Sequence, residues 1–576
     1  MKNLIFKKLS LLSDKQRAAR QVLFQKRFNL IIGKTNSVGK STLVKNLFWS
    51  FGCDVRLDPT WENQDCKSML EFQIDDQNYW IGRHGDRFFF STDGNNFKVY
   101  SKIGGEFSEL IANLVNFSVL LPIRNQDVVI VPPPAFYFLP FYIEQKTGWG
   151  KAWDGFDSLM QFTQWNKEVI PFHVGFIGKD YFNKTKEIYE NKRKMAEVDD
   201  EIKRVSTAIE VVQEFVPEVV STLNIEELDK IKSELREDVF NLHKTQEELF
   251  EELANLRSKK AQIESQLTIA NEAVKELEKD YVFAQNEEDE IHCPTCGVVH
   301  DNSLVSKFSL LSDKDQAEQI LVRLTSKLEN INKSIDKKTI KLAEVREEIQ
   351  KLNEKYYREE QNTVFTLQNV LESVAAHSVK IKVEDLRETK AAEYYDLTQK
   401  DKTLNAERVK SIKAKKEDVT KRFLEIYPAY IDKLRAVGVV ASNIKSPEQY
   451  RKVANSGGAA EGVRGMLAYY VAIYNLISSY SEEVLSPLVI DTPNQHEQAP
   501  NHYESIVSFI NDSTPLSSQI FLCAMDSPKL DPLKNKPASA IILLEKERGL
   551  LIEDEYEKTR KEIAWVYDLV NETDID

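Results

Sequence analysis

The pattern of apolar and polar positions changes twice along the chain and divides it into three parts. From residue 1 to about 178, short apolar runs alternate with turn signals such as Gly85-Asp86 and Asp93-Gly94, which predicts strands in a mixed α/β segment. From 179 to about 425 the chain is highly charged and nearly free of proline and glycine, which predicts long helices. After Tyr427-Pro428 the pattern again predicts a globular α/β segment.

Apolar residues in the helical part recur at alternating steps of four and three, the spacing of a coiled-coil seam. One seam runs from Leu249 to Tyr281 and a second from Leu321 to Leu352. Because they flank a short non-helical stretch, we predict one antiparallel coiled-coil hairpin; two independent helices packed on globular domains are the alternative. We expect Pro217 and residues 221–224 to break the outgoing helix.

A phosphate-binding loop is predicted between an apolar strand at residues 28–32 and an apolar helix at 43–49. The loop resembles GxxxxGK[ST], with five residues instead of four between Gly33 and Gly39. In this strand–loop–helix context backbone N–H groups face an anion. Lys40 is expected to reach the β- and γ-phosphates and Ser41 to ligate Mg²⁺. The residues expected to contact the nucleotide are Gly33, Asn36, Ser37, Gly39, Lys40, Ser41 and Thr42.

Three further segments carry candidate chemistry. An aromatic run at 136–143 predicts a buried strand, and Gln145 follows it. A serine-glycine turn at 455–462 leads into an apolar helix, so helix N–H groups are again offered to an anion. An apolar strand at 487–490 ends in Asp491, a position suited to a Mg²⁺-coordinating carboxylate, and a last strand at 518–525 reaches Asp526.

The predicted tip of the hairpin contains a metal knuckle, Cys293-Pro-Thr-Cys296-Gly, flanked by His292 and His300. Zinc takes four ligands and one knuckle supplies two. Two chains could share one zinc ion, a flanking histidine could complete the site within one chain, or the thiols could be redox-active or metal-free. The residues alone leave these alternatives open.

Composition limits the location and the partners. The 576 residues exceed one compact core, and no run approaches the roughly 18 apolar residues of a membrane span. The N-terminus has no signal-peptide pattern and the five cysteines form no disulfide framework, so a reducing cytoplasm is expected. Because the net charge is −14, DNA binding needs a local basic patch. The candidates at the arm bases are Lys192, Arg193, Lys413, Lys415 and Lys416, with solvated coil surface as the alternative.

The order of these motifs resembles that of the SMC-like ABC ATPases with a zinc hook, of which SbcC-type repair proteins are examples. The motifs are, in order, the phosphate-binding loop, the coil with its Cys-x-x-Cys tip, the serine-glycine turn with its helix, and the strand ending in Asp491. The short arms most resemble SMC-like subunits of Lamassu-type bacterial defence systems. The resemblance implies an α/β ABC-type ATPase head assembled from N- and C-terminal segments, with an antiparallel coiled-coil hairpin insertion tipped by a CxxC zinc-hook-like turn. The expected boundaries are 1–178 and 426–576 for the head halves, 179–290 and 303–425 for the arms, and 291–302 for the hook.

The resemblance also implies cofactors and roles. ATP and Mg²⁺ would bind at Lys40 and Ser41, with Gln145 as the Q-loop glutamine and Asp491 as the Walker B aspartate. The matching signature-motif residues, which would bind ATP held by the other protomer, are Ser456, Gly457 and Gly458. Zn²⁺ would bind at Cys293 and Cys296. The implied partners are a second copy of the chain, through heads or hook, double-stranded DNA and a separate effector or nuclease subunit, with no membrane.

Two positions depart from that family. Thr492 stands where a catalytic glutamate follows the Walker B aspartate, and no switch histidine is evident at Met525-Asp526. Hydrolysis should therefore be slow, with Gln495, His496 or Glu497 as possible substitutes. The expected function is ATP-dependent DNA binding or sensing that activates an effector in anti-phage or anti-plasmid defence. The alternatives are double-strand-break repair with a separate nuclease, or an ATP-switched scaffold without DNA binding.

Overall fold

The structure is a computed structural model that describes residues 2–569 apart from 36, 124–127, 163, 215–236, 287–289, 293–298, 302–303, 354–366, 455–457 and 495–497. The chain forms two compact units. The first combines residues 1–192 with 401–576, and the second is 193–400. The two ends of the chain therefore build one unit together, while the middle of the chain builds the other.

The first unit contains an antiparallel sheet of six strands in the order β2-β1-β4-β5-β6-β7. All six come from the N-terminal segment. Their bounds are β1 Leu4–Ser13, β2 Ala18–Leu23, β4 Cys66–Ile74, β5 Gln77–His84, β6 Arg87–Ser91 and β7 Lys98–Tyr100. The turn signals at Gly85 and Gly94 lie where expected, after β5 and after β6. Both glycines have positive φ, 57° and 76°, a backbone conformation that glycine adopts without strain.

A parallel sheet of five strands carries the chemistry of the first unit, in the order β10-β13-β14-β3-β15. The strands are β3 Phe28–Gly33, β10 Tyr142–Ile143, β13 Leu488–Asp491, β14 Ile520–Met525 and β15 Ser539–Leu543. Strands from the two ends of the sequence alternate, because β13 and β14 lie between β10 and β3. All five carboxyl ends meet at one edge, where loops can build a ligand site.

Helix α1, Lys40–Ser50, lies between the two sheets and contacts strands of both. It is buried on nearly all sides, including the polar residues Lys45, Asn46 and Ser50. A helix enclosed in this way is held by packing rather than by propensity. Its first residue is therefore fixed at the carboxyl edge of the parallel sheet, directly after β3.

The remaining elements are mostly helical. The predicted strand at 136–143 is wrong for most of its length, since only Tyr142–Ile143 is strand and Ala135–Phe138 is helix. Pro134 caps that helix at φ −55°, the fixed dihedral that suits a helix start. The bounds are α2 Pro59–Glu62, α3 Glu106–Leu114, α4 Ala135–Phe138, α5 Asn166–His173, α6 Lys179–Glu214, α7 Glu237–Asn286, α8 Leu304–Asn353, α9 Leu367–Lys433, α10 Arg451–Ala454, α11 Ala459–Tyr480, α12 Pro500–Ser513, α13 Asp531–Lys534 and α14 Tyr556–Ile563, with short strands β8 Leu121–Pro122 and β9 Val129–Ile130.

In the second unit, α7 and α8 form an antiparallel pair. Lys314 contacts Glu278 at 3.3 Å, and Lys338 forms an ion pair with Glu252, so the register runs in opposite directions along the two helices. Apart from Leu352, whose side chain lies outside the described part, the predicted seam positions form the half-buried or buried stripe of both helices. Strands β11 Glu290–His292 and β12 Val299–Asp301 close the pair in antiparallel register. The segment between them, with Cys293 and Cys296, lies outside the described residues.

Four helices meet at one place in the second unit, which a simple two-helix hairpin does not provide. Ala208 of α6, Leu253 of α7, Ile349 of α8 and Val379 of α9 belong to one buried apolar cluster. The Ser258 hydroxyl of α7 also donates to a carbonyl of α6, 2.6 Å away. The sequence analysis predicted a helix pair, and the structure adds to this pair a four-helix cluster that was not predicted. The expected break at Pro217 lies outside the described residues.

Candidate nucleotide-binding site

The loop between β3 and α1 has the backbone of an anion cradle. Ser37 and Gly39 both have positive φ, 60° and 94°, which turns successive N–H groups towards one side. A side chain at Gly33 would place its Cβ 2.7 Å from Val38 Cγ2 and 3.0 Å from the Leu544 carbonyl oxygen. Glycine is therefore required at this point in the loop. The Arg548 N–H donates to the Ser37 carbonyl at 2.9 Å and supports the loop from outside.

Lys40 points into this site as predicted from the sequence. Its Nζ donates to the Thr35 carbonyl at 3.1 Å and lies 3.7 Å from Met525 Sδ. Burial lowers the pKa of Lys40, against smaller opposing effects of Cys523 and Asp491. A carbonyl and a thioether compensate an ammonium group only weakly, so a phosphate oxygen is a better partner for it. Met525, the position at which the sequence analysis found no switch histidine, thus contacts the lysine.

Gln145 and Asp491 meet at the carboxyl edge because their strands are neighbours. β10 pairs with β13 in parallel register, with Ile143 opposite Ile490. The Ser41 hydroxyl donates to Gln145 Oε1 at 3.0 Å. Trp149 Nε1 donates to the Asp491 carbonyl oxygen at 2.9 Å and fixes the loop that carries Gln145. The three residues that the sequence analysis assigned to Mg²⁺ are therefore brought to one edge of the sheet.

The Asp491 carboxylate is fully buried and incompletely satisfied. Its Oδ1 accepts from the Thr492 hydroxyl at 3.1 Å. Within the described parts of the chain, Oδ2 has no hydrogen-bond partner. Burial raises the pKa of Asp491 to about 6, against the opposing effects of the Ser41 and Thr492 hydroxyls. An orphaned buried oxygen of this kind fits a hard cation such as Mg²⁺, so the donor set suits the implied metal.

Thr492 has an unusual backbone conformation. Its φ is 56°, in the left-handed region that β-branched residues rarely occupy. Its N–H donates to the Cys523 carbonyl at 3.1 Å, and its side chain is turned to Asp491. A hydroxyl in this position cannot act as the general base that a glutamate would supply. The candidate substitutes Gln495, His496 and Glu497 lie outside the described residues.

A buried ion pair behind the site was not predicted. Lys45 Nζ of α1 lies 3.0 Å from Glu144 Oε1, and the two side chains are 9% and 1% exposed. Glu144 Oε2 also accepts from the N–H groups of Lys146 and Thr147, at 2.6 and 2.9 Å. Burial raises the pKa of Glu144, but these partners outweigh it and the net pKa lies below the usual value. The sequence feature that could have indicated this ion pair is Lys45, a charged residue on the buried side of an apolar helix.

The signature segment is described only in part. Gly458 is the N-cap of α11, and glycine supplies no side chain to cap the first N–H groups of the helix. Ser456 and Gly457, like Asn36 of the phosphate-binding loop, lie outside the described residues. The same holds for Cys293 and Cys296, and the described remainder of the chain contains no cluster of three or more metal-ligating His, Cys, Asp or Glu side chains.

The candidate DNA-binding residues have partners inside the protein. Lys415 lies 3.4 Å from Glu482, and Lys416 lies 2.7 Å from Glu448. Other contacts at the arm bases are those of Arg193 with Glu197 at 3.6 Å and of the Lys192 ammonium with the Tyr189 ring at 5.7 Å. The side chain of Lys413 lies outside the described part. These pairs are exposed and individually weak, so they reduce but do not abolish the local positive charge.

The bases of the two arms lie side by side within the first unit, as the antiparallel prediction requires. Lys184 of α6 forms an ion pair with Glu407 of α9, and Arg408 Nη1 donates to the Thr185 hydroxyl at 3.5 Å.

None of the helices in the described parts combines the length and apolar character needed to cross a membrane.

Two curated relatives resemble the chain over most of its length. Lamassu protein LmuB from Bacillus cereus (strain VD014) is 24% identical over 578 residues, covering 97% of both chains. Lamassu protein LmuB from Bacillus sp. (strain NCIM 5461 / CCTCC AB 2011126 / NIO-1130) is 21% identical over 541 residues, 88% of this chain and 91% of the relative. No protein-family model matches the chain.

Solved structures overlap with the chain only loosely. The Smc head domain with a coiled coil and joint from Pyrococcus yayanosii has a TM-score of 0.40 and 13% identity, covering 97% of this chain and all of that one. The recombination mediator protein RecF with ATPrS has a TM-score of 0.27 and 12% identity over 94% of this chain and 98% of that one. The LmuB matches confirm the resemblance to SMC-like subunits of Lamassu systems that the motifs indicated.

Proposed function

We propose, from its end-to-end similarity to Lamassu protein LmuB, that this chain is the SMC-like ATP-binding subunit of a Lamassu-type defence system. In this proposal it binds Mg-ATP, pairs with a second copy through its ATP-bound heads, binds double-stranded DNA and activates a separate effector. The chemistry of the carboxyl edge of the parallel sheet supports the first step most directly, and the later steps follow from it.

The observation that carries the proposal is the convergence of Ser41, Gln145 and Asp491 beside the phosphate-binding loop. The Ser41 hydroxyl and Gln145 are already hydrogen-bonded, and Asp491 presents an oxygen without a partner in the described chain. These three residues would hold Mg²⁺, and Lys40 with the N–H groups of the loop would hold the phosphates. The cation would neutralise charge on the phosphate oxygens when bound.

Pairing of two heads follows from the positions of the two anion-binding elements. The N-cap of α11 at Gly458 offers N–H groups that no side chain of that residue caps. In the proposed pair, each nucleotide lies between the loop of one chain and the start of α11 of the other. ATP then acts as part of the interface, and its loss or hydrolysis separates the heads.

The DNA-binding part of the proposal rests on the basic residues at the arm bases. The Lys415 side chain is about half exposed and that of Lys416 somewhat less. Each forms an ion pair with a glutamate, Glu482 and Glu448, and Lys416 also contacts the Phe176 ring at 4.9 Å. Phosphates can compete with these glutamates for the lysines. The effector would be a separate chain, because the sequence shows no nuclease constellation. We also propose that Cys293 and Cys296 bind zinc at the tip, where the β11–β12 register brings the two ends of their segment together.

The central test is ATP-dependent retention of DNA by the full chain. Lys40→Ala should abolish retention, because the phosphates lose the charge-assisted side-chain partner at the start of α1. Lys536→Ala is the matched control: it removes the same charge from an exposed residue at the amino end of β15, opposite the site. Unchanged retention by the Lys40→Ala variant would contradict the proposal.

An ATP-switched scaffold without DNA binding is a second candidate, favoured by Thr492 in place of a catalytic glutamate. A mobility shift with double-stranded DNA, with and without Mg-ATP at near-physiological salt, separates the two. A shift that depends on ATP supports the DNA-binding subunit, and the absence of any shift supports the scaffold. Double-strand-break repair shares the chemistry of the first proposal and differs from it in the partner.

A further inference from the structure

The six-stranded sheet carries a small pocket on the face opposite α1. Leu70 and Phe72 of β4 pack with α1 in the main core, so the alternate residues Met69 and Glu71 point to the other face. The pocket on that face has a volume of about 110 Å³. Because a water molecule occupies about 30 Å³ in the liquid, this volume accommodates the end of one side chain, whereas pockets for small-molecule ligands begin at about 300 Å³.

The floor of the pocket is a row of side chains that crosses three strands. Lys8 of β1 lies opposite Glu71 of β4, and Glu71 lies opposite Trp80 of β5. Residues that oppose each other on paired strands point to the same face of a sheet. The three side chains therefore stand side by side, and all three line the pocket.

Two further aromatic rings form walls above this floor. Phe97 lies in the connection from β6 to β7, and Trp565 lies just after α14. Their ring centroids are 5.7 Å apart at an interplanar angle of 78°. The Trp80 ring packs closely on the backbone of Gly94, where an added Cβ would lie 3.1 Å from two ring atoms. Trp565 is 44% exposed, so the pocket opens to solvent beside this ring.

The charges that line the pocket are not balanced. The Lys8 ammonium forms an ion pair with Glu562, whose other carboxylate oxygen accepts from Gln21 Nε2 at 2.7 Å. This pair is neutral as a whole. The side chain of Glu71 has no ion-pair or hydrogen-bond partner among the described residues. One uncompensated negative charge thus remains beside three aromatic rings.

A carboxylate framed by aromatic rings is complementary to an organic cation. The face of an aromatic ring attracts a cation, and tryptophan attracts it most strongly. A guanidinium group suits the pocket better than an ammonium group, because it is planar, weakly hydrated and able to stack on a ring while its N–H groups donate to a carboxylate. The net charge of −14 on the chain also favours a cationic partner.

We propose that this pocket receives an arginine side chain of a partner protein. The guanidinium would stack against the tryptophan rings and pair with Glu71, while Glu562 remains bound to Lys8. This inference goes beyond the function proposed above, and it requires neither nucleotide nor DNA.

Saturation-transfer NMR of the full chain without ATP tests the pocket. The probe is a capped pentapeptide with one central arginine between glycines, and its neutral counterpart carries citrulline, which has nearly the same shape. The arginine peptide should bind saturably with a dissociation constant of roughly millimolar size, because one side chain supplies the contacts. The citrulline peptide should bind at least about tenfold more weakly.

Substitutions in the pocket identify the groups that recognise the cation. Glu71→Gln keeps the size of the side chain and should weaken binding of the arginine peptide by about tenfold. In this variant the difference between the arginine and citrulline peptides should shrink to less than about threefold, because the partner of the charge is already gone. Trp565→Leu truncates a half-exposed ring and should also weaken binding.

Glu109→Gln is the matched control, because it removes the same charge from an exposed residue of α3 outside the pocket. It should bind the arginine peptide like the parent. Equal binding of the two peptides by the parent would overturn the proposal. So would an equal loss of affinity in Glu71→Gln and Glu109→Gln, since that result indicates general attraction to an acidic chain. Lys40→Ala should bind the peptide like the parent, so failure of the nucleotide site and failure of this pocket are told apart.

Discussion

At the scale of single residues, Asp491 would make the proposed metal binding depend on pH. Its pKa of about 6 means that protons compete with a cation for the carboxylate in a range where most aspartates are already ionised. Without a bound cation, the raised pKa favours folding below the ordinary value of 3.8, and this contribution is lost as pH rises through about 6. Cation binding has the opposite dependence, because it requires the ionised form.

We therefore predict that Mg-ATP affinity falls as pH drops through about 6, approaching tenfold per pH unit below it. Nucleotide titrations between about pH 5 and pH 8 check this. The Asp491→Asn variant should bind Mg-ATP more weakly than the parent. Its affinity should vary with pH only through the protonation of ATP itself, which affects the parent and the variant equally. Equal parent affinity at the two ends of the range would contradict the assignment of Asp491 to the metal.

Thr492 provides a second prediction at this scale. We expect slow ATP hydrolysis in the parent, because the residue after Asp491 carries no general base. Thr492→Glu should raise turnover by about 10²-fold, the lower end of what a positioned base contributes. Thr492→Gln is the control, because it removes the same hydroxyl contact and branched side chain without adding a carboxylate. Its rate of ATP hydrolysis should not exceed that of the parent. Steady-state phosphate release measures both variants, and equal rates would exclude this explanation of slow turnover.

At the scale of elements, the Lys45–Glu144 pair fastens α1 to the loop that carries Gln145. Removing one member leaves a buried charge without compensation, so Lys45→Met should reduce the free energy of unfolding of the first unit by roughly 3–5 kcal/mol. It should also weaken ATP binding, because the loop loses its anchor. Adding Glu144→Gln to Lys45→Met should recover most of the stability, since the amide oxygen still accepts from the backbone. Urea unfolding followed by tryptophan fluorescence measures this, and no recovery in the double variant would contradict the ion-pair explanation.

Sequence reasoning succeeded where the signal is local. Three elements each lie within one apolar run that is bounded by turn residues: the strand before Gly33, the helix after Lys40 and the strand ending at Asp491. Hydrophobic periodicity together with the positions of the turn residues therefore predicted them. The run at 136–143 failed, because a dense aromatic stretch fits a strand as well as a short helix. There the prolines decided the conformation.

Which helices pack side by side could not be predicted from the sequence. Heptad spacing shows which face of a helix is buried but not which helix covers it, so the cluster joining Ala208, Leu253, Ile349 and Val379 was not predicted. The same holds at the site. Ser41 and Asp491 were proposed from their motifs, whereas the Lys45–Glu144 ion pair joins residues with no motif of their own.

At the scale of the whole molecule, internal ion pairs reduce the positive charge of the proposed DNA-binding surface at the arm bases. Lys415 forms an ion pair with Glu482, and Lys416 forms one with Glu448. Replacing both glutamates by glutamine should raise DNA affinity by about tenfold at low salt and steepen its salt dependence, because two lysines become available to phosphates. Binding titrations at several salt concentrations provide the measurement.

The control for this prediction changes the net charge equally at another place. Glu318→Gln with Glu347→Gln removes two acids that pair along α8 in the second unit. This variant should bind DNA like the parent. A similar gain in both double variants would attribute the effect to the overall charge of −14 rather than to the arm bases.

The alternation of strands from the two chain ends has a consequence for biosynthesis. β3 and β10 leave the ribosome early but have β14 and β13 as neighbours, which are translated after the whole helical middle of the chain. The helix pair of the second unit has its partners close in sequence and can form during translation, whereas the parallel sheet must wait for residue 543, the end of β15. A polypeptide that ends before Asp491 therefore lacks part of the proposed nucleotide site.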